Sequence, residues 1–530
     1  MEDGKIYTWT FSAIVMLDRG EEYENVFCQW EAYKEFENSI ISIANPSKNI
    51  IFFIYLYDKK DRYVYIKESS IIDGKYCLDI IEHYPLAEFY TDCRKHISAF
   101  FRKHVSKKFV DENELHRNFL ITWGHASGFG FFSTVHDNTQ ESELPRKVRV
   151  KLENYKSEIG QFKQHLQKIR FLKAQLSLTE GHIDINNLVD ANDFFANTDT
   201  NFTTSDKIAL KSYAGFSIKC LTANDLKEAI EDGFKDDACF FKAKNDGSIP
   251  KIDYLMCVSC FTQMIETGDI LKDVIKIMIA PLTTISFYGY NYEALFKLIS
   301  ESPEACEKKI ADNLVNNYLA KYSANNIYKS VQNNGIFNVE YAWLTSFNVV
   351  YLERYTAIKQ GIRKFFDFVL QNGDIILFNF SKVSAIDGLR FARRRCSEIS
   401  FNSGLRGNTG IIEFNNLLMK FYELYGAGDF TTVTPLADDF NTITSTYSNQ
   451  TGLGGEPFIL SQYCPAHYNY HYYSNQGEIL TLSAGYFGLF LPLGLDAREV
   501  VTRRILKKEK INITLWDEIN WRKLVEQLNM

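Results

Sequence analysis

Two short segments carry the residue types that can do covalent chemistry. "NFLITWGHASGFGFF" (Asn118–Phe132) and "KIDYLMCVSCFTQMIE" (Lys251–Glu266) each run as an apolar, strand-like stretch that stops at a reactive polar residue, His125 in the first and Cys260 in the second. Open α/β sheets place their chemistry just beyond the carboxyl ends of strands, so two such strands can deliver an imidazole and a thiol to one edge. Cysteine attacks as the thiolate, and a neighbouring imidazolium or a helix amino terminus stabilises that charge. Cys260 is predicted to lie where its strand ends and "CFTQMIETGDILKDV" begins as a helix, inside the field of the helix dipole. Around His125, the glycines Gly124, Gly128 and Gly130 let the main chain bend and aim N–H groups at a substrate carbonyl, as an oxyanion hole requires.

Each residue also has a plainer reading. Cys257 and Cys260 form a C-x-x-C pair, the spacing of a redox motif or of half a zinc site. A zinc site needs a second ligand pair, and "CPAH" (Cys464–His467) stands alone in a distant loop, so no metal-ligand set is expected. His125 read by itself is a histidine satisfied in a tight turn, and Val258 is a strand residue facing the core.

The elements around these residues alternate. Ile6–Leu17 reads as a buried strand, Glu24–Ile43 as a helix, and Asn49–Asp58 as a second buried strand followed by a short "RYVYI" ribbon. Pro85–Val105 has apolar residues at helical spacing, and "NFLITWG" is a third strand. Thr222 is placed to cap a helix over Leu221–Phe234, "IDYLMCV" is a strand, and Val274–Ala280 is another. Such βαβ alternation implies a mostly parallel sheet flanked by helices. Ser133–Ser217 breaks the pattern with a charged helical pair, Arg146–Leu176, and a polar stretch, and reads as an exposed insertion. Phe401–Gly455, rich in Gly, Asn and Thr, reads as a mobile rim.

Composition excludes several classes. The 530 residues are 45% hydrophobic with a formal net charge of -7, enough for a large core and without the basic excess of a nucleic-acid binder. The opening "MEDGKIYTWTFSAIVM" lacks the basic flank of a secretion signal, and Phe487–Leu495 is too short to cross a bilayer. Ten cysteines spread over such a length fit reduced thiols. The expectation is a soluble, cytoplasmic chain without membrane or nucleic-acid partners.

On these residues the chain resembles the clostripain family of cysteine peptidases, relatives of caspases and gingipains. The His125 segment resembles the family's "LILWxHGSGW", and the Cys260 segment its "DACLMxxxE", with the Cys-to-Glu spacing kept at Glu266. "IMIAPLTTISFYGYNYEALFKLI" is similar to the family's next strand and its glycine–aromatic turn, here Gly289, Tyr290 and Tyr292. "AGYFGLFLPLG" and "LWDEINWRKLVEQL" are similar to a late strand and the closing tryptophan-bearing helix.

The resemblance implies a caspase/gingipain-like α/β/α sandwich, with a peptidase domain over residues 1–310, an insertion at about 133–217, and a C-terminal α+β region over 311–530 packing beside the sheet. It implies a His125–Cys260 dyad cleaving peptide bonds through an acyl-enzyme, with backbone N–H groups at Ala126 and Cys260 holding the oxyanion. It also implies a protein or peptide substrate, an activating or regulatory protein partner, and no required cofactor. Calcium supports some family members and enters only through that resemblance. Family members are cut between base and nucleophile, which points to Arg146, Lys147, Arg149, Lys151 and Lys156 as a processing region.

Departures accompany the match. Val258 stands where members that prefer a basic residue carry Asp, Ala126 replaces a glycine, and Pro281 replaces a serine. Val258, Pro281 and Glu266 are therefore the candidates for the substrate pocket, with Asp253 as another carboxylate that could reach it. The same departures support an alternative, a caspase-like pseudo-peptidase that binds a partner through the old cleft.

Overall fold

A computed structural model describes residues 6–17, 26–86, 89, 92–106, 114–126, 130–137, 216–235, 251–260, 262–282, 285, 287–324, 347–371, 374–376, 382–395, 411–414, 417, 421, 459–463, 471–473, 479–481, 488–491 and 514–528. Long apolar runs rich in β-branched and aromatic residues form the centre. These are β1 (Ile6–Leu17), β2 (Ile50–Asp58), β5 (Glu114–Trp123), β8 (Ile252–Val258) and β9 (Ile275–Pro281). They pair in parallel in the order β9-β8-β5-β1-β2, with both faces buried, as parallel strands require.

Antiparallel strands extend both sides into a nine-stranded sheet. Beside β2 lie β3 (Tyr63–Ile72) and β4 (Lys75–Pro85), and beside β9 lie β10 (Phe347–Tyr351) and the strand Ile459–Tyr463. The boundary expected at residue 310 does not coincide with an edge of this sheet, since Phe347 of β10 pairs with Pro281 of β9.

Helices cover both faces. On one, Phe11 of β1 and Phe52 of β2 meet Phe296 of α5 (Tyr292–Glu301), which also contacts Phe36 of α1 (Val26–Ile41). Tyr55 of β2, three residues on and so on the opposite face, meets Phe100 of α2 (Cys93–Phe100). This is the expected α/β/α arrangement. Behind α2 packs α3 (Ala223–Phe234), closed by a capping box in which Thr222 and Asp225 satisfy each other's main-chain N–H groups.

The predicted elements needed four adjustments. The "RYVYI" ribbon is the start of a full hairpin, β3–β4, turned at Asp73 and Gly74, both with positive φ. The helix expected from Pro85 begins only at Cys93, since Pro85 is the last residue of β4. The helix expected at Cys260 begins at Ile265 as the short α4 (Ile265–Leu271). The insertion starts and ends in paired strands, β6 (Gly130–Asp137) and β7 (Phe216–Thr222), so the chain leaves and returns at one place. The helical pair Arg146–Leu176 and most of Phe401–Gly455 lie outside the described residues. Among the described residues no helix is long and apolar enough to cross a membrane.

One half-buried histidine makes the central pairing sensitive to acid. His116 on β5 is held between Thr8 Oγ1, 2.8 Å from Nδ1, and Thr10 Oγ1, 3.0 Å from Nε2, both on β1. Burial pushes its pKa down to about 3. The fold therefore refuses a proton that the unfolded chain accepts near pH 6.5. Stability is unaffected above that pH and falls between about 6.5 and 3, with a slope of about 1.4 kcal/mol per pH unit from this group. In denaturant titrations across that window, His116→Gln should lose this part of the slope; an unchanged slope would contradict the assignment.

Candidate active site

The positions of His125 and Cys260 follow from strand register. Trp123, the last residue of β5, is paired with Val258, the last residue of β8, and Gly124 N–H donates to the Val258 carbonyl at 3.2 Å. His125 and Cys260 each lie two residues beyond that pair. They leave the carboxyl edge of adjacent parallel strands, which run about 4.8 Å apart. Pairing sets the register, and stacking reinforces it: the partners Phe119 and Tyr254 stack with ring centroids 5.1 Å apart.

The segment after β9 closes over both residues. Ile285 N–H donates to Cys260 Sγ at 3.4 Å, and the thiol lies 3.8 Å from the Ile285 carbonyl. Phe287 sets its ring edge-on to His125, centroids 5.1 Å apart, while its carbonyl accepts from Trp123 Nε1 at 2.8 Å. Cys260 is 5% exposed. Further on, Tyr290 donates through its hydroxyl to the Cys257 carbonyl at 3.3 Å. Gly289 has φ +59, and a Cβ there would lie 2.8 Å from Val258 Cγ1 and collide with the Tyr292 hydroxyl. Only glycine fits that close approach.

Lys321, on α6 (Glu307–Ala324), secures this segment from below. Its ammonium donates to the Tyr288 carbonyl and to the Tyr290 carbonyl at 2.8 Å, pairs with Glu35 of α1 at 2.8 Å, and lies 4.8 Å from the Tyr292 ring centroid. Desolvation lowers its pKa, opposed by Glu35. The Tyr288 hydroxyl donates to Glu31, also on α1, at 3.4 Å. From the same helix Gln29 reaches His125, with 3.4 Å between its amide nitrogen and the ring Nε2.

The other expected site residues are distributed as follows. Ala126 is buried and makes an isolated bridge to Phe131. Val258 and Pro281 close β8 and β9, and the Pro281 carbonyl accepts from Gln263 N–H at 3.0 Å. Glu266 is buried on α4, where Oε1 accepts from Trp516 Nε1 at 3.3 Å, a contact with the C-terminal helices. Asp253 sits near the amino end of β8 and accepts from Asn118 N–H at 2.8 Å, its pKa raised by burial against that bond.

Two readings are corrected. Cys260 gains nothing from a helix amino terminus, because α4 starts five residues later. Gly130 is needed for packing, since a Cβ there would lie 2.6 Å from Cys220 Sγ and 2.9 Å from the Leu221 carbonyl. Gly128, the residues Arg146, Lys147, Arg149, Lys151 and Lys156, and Cys464–His467 lie outside the described residues.

Cys257 is fully buried, and desolvation pushes its thiol up to about 12, which makes it a poor partner for thiol exchange beside Cys260. Among the described residues no group of three or more His, Cys, Asp or Glu side chains is arranged to hold a metal ion. Sequence inspection missed Gln29, Phe287 and Lys321. The available signal was a polar residue on the buried stripe of an amphipathic helix, as at Gln29.

No protein-family model matches the chain, and no curated protein does. Solved structures it is similar to include a secreted C11 cysteine protease from Bacteroides thetaiotaomicron in complex with an irreversible peptide inhibitor. The identity is 12%, over 97% of this chain and 99% of that chain, with a TM-score of 0.49. An inactive zymogen C11 protease from Parabacteroides distasonis is similar at 10% identity, over 99% of this chain and 98% of that chain, with a TM-score of 0.46. C11 is the clostripain family, the one that the sequence motifs resemble.

Lys321→Met removes the cation from two buried carbonyls and from Glu35, and should cost about 3 kcal/mol in denaturant unfolding. Lys309→Met on the exposed side of α6 should cost less than about 0.5 kcal/mol. Equal losses for the two would show that Lys321 does not hold the segment.

Proposed function

We propose that the chain is a cysteine endopeptidase of the clostripain type, with Cys260 as nucleophile and His125 as base and acid. The observation that carries this reading is the register-matched delivery of both residues to one sheet edge under a shared covering segment. His125 takes the thiol proton, and the thiolate adds to a peptide carbonyl to give a tetrahedral oxyanion held by main-chain N–H groups at Ala126 and Cys260. The C–N bond then breaks as His125 protonates the leaving amine, forming a thioester. Water, deprotonated by His125, releases the acid and restores the thiol. No metal or organic cofactor enters these steps, and the substrate is a peptide or protein.

Regulation belongs to the same proposal. Cys260 is buried and bonded to the Ile285 main chain, so a substrate carbonyl meets the sulfur only after Ile285 yields it. A protein partner, or cleavage within 133–217 near Arg146, Lys147, Arg149, Lys151 or Lys156, would supply the trigger. The cytoplasmic assignment rests on the sequence alone, while the Bacteroides structure is of a secreted protein.

Alkylation by iodoacetamide or a peptidyl acyloxymethyl ketone should fall on Cys260 and drop by about 10²–10⁴-fold in His125→Ala, with peptide hydrolysis abolished in Cys260→Ala. Labelling of Cys260 that ignores His125, or hydrolysis surviving Cys260→Ala, would refute the dyad. Absence of any labelling of the triggered protein would favour the pseudo-peptidase. Activation should also convert the 61.3 kDa chain into two fragments on a denaturing gel. Full activity from an intact band would exclude self-processing.

A further inference from the structure

The base of a Cys–His pair must present one ring nitrogen to the thiol and have the other fixed by a third group, otherwise the ring rotates and the proton has no defined route. Within the peptidase reading, on which this rests, we infer that Gln29 is that third group, a positioning residue that holds the His125 ring through Nε2 and leaves Nδ1 to Cys260.

Three observations support it. The amide nitrogen of Gln29 lies 3.4 Å from His125 Nε2. Gln29 is 4% exposed on the buried face of α1 with Ala32, Tyr33, Phe36 and Ile40, a position where a carboxamide is costly unless bonded. The helix that carries it is anchored to the covering segment twice, through Glu31 to the Tyr288 hydroxyl and through Glu35 to Lys321, so Gln29 and Phe287 hold the ring from elements that are fixed to each other.

A carboxamide suits a ring that changes charge. With Nδ1 turned to the thiol, the neutral ring that takes its proton carries hydrogen on Nε2, so the carboxamide oxygen of Gln29, after a half-turn of the amide, accepts from Nε2–H in the neutral ring and in the imidazolium alike. Gln29 thus supports the resting histidine and the imidazolium of the ion pair without a net charge. Among the described residues, the ionisable groups on the elements that meet the ring include the Cys260 thiol just after β8, Tyr288 beside Phe287 in the covering segment, and Glu31 on α1; all three stay in place in the variants below.

The test is the pH dependence of two readouts, iodoacetamide alkylation of Cys260 and kcat/KM on a cleaved peptide, in full-length wild type, Gln29→Met and Gln29→Glu. Gln29→Met keeps the volume and removes the acceptor. It should lower the pH of the basic limb by about one unit and slow alkylation below pH 7 by roughly tenfold. Gln29→Glu places a carboxylate on the same nitrogen and should move the basic limb upward, with KM little changed in both. A merely structural Gln29 would leave both limbs in place, and that result overturns the assignment while leaving the dyad intact. Equal falls in activity at every pH in both variants overturn it as well. A wild-type chain with no Cys260-dependent alkylation or turnover removes the peptidase reading and this assignment with it.

Discussion

The parallel pairing of β5 with β8 is the constraint from which the site follows. Parallel strands buried on both faces have no solvent side to favour one register, so side-chain packing must choose it. Here rings perform that role: Phe119 stacks on its partner Tyr254, Tyr254 on Trp9, and Phe11 on Phe119, tying β8, β5 and β1 into one aromatic ladder. A slip of one residue would shift His125 by about 3.3 Å relative to Cys260 and turn Cys257 and Val258 onto the wrong faces. The proposed chemistry two residues beyond the ladder would inherit its precision from a core that takes no part in it.

A second constraint acts from the opposite direction. The described residues of the covering segment lie outside any strand ladder, so their main-chain groups must find partners elsewhere. Lys321 supplies this by turning a buried cation toward two carbonyls, Glu35 and the Tyr292 ring at once. A charge so deeply buried is tolerated only because its partners are satisfied together. Trp123 adds a link from the strand end to Phe287, and Tyr290 a link to Cys257. The segment that touches both His125 and Cys260 is thereby referenced to the strands that carry them.

The parts of this design legible in the sequence are those written in runs of residues. β1, β2, β8 and β9 are continuous apolar stretches, and their alternation with amphipathic helices implied a parallel sheet with helices on both faces. β4 was missed because half of it is exposed and its polar residues Lys75, Asp79, Glu82 and His83 interrupt any apolar run, although Asp73-Gly74 is a hairpin signal. The late start of α4 was missed because "CFTQMIE" has helical composition, while the chain after Cys260 is tied to β9 by the bond from Gln263 N–H to the Pro281 carbonyl. Gln29, Phe287 and Lys321 meet the site across long sequence separations, and no local pattern marks such contacts. Glu266 kept the spacing of a family motif yet faces Trp516, which shows that spacing within a motif does not fix where a side chain is used.

The wall beside Cys260 brings these points together. Position 258 is where the motif that this chain resembles carries Asp in members that prefer a basic side chain, and here it holds a valine packed against Gly289, too tightly for a Cβ on its neighbour. Asp253 lies five residues back along β8, about 16 Å from the strand end, and is committed to Asn118. Glu266 is buried against the C-terminal helices. Neither carboxylate is placed to take the role that the resemblance gives to position 258, and Val258 itself is buried at the end of its strand. Under the proposed peptidase reading, selection of a substrate side chain beside Val258 would rest on shape and desolvation, forces that discriminate by volume and reject an unpaired charge.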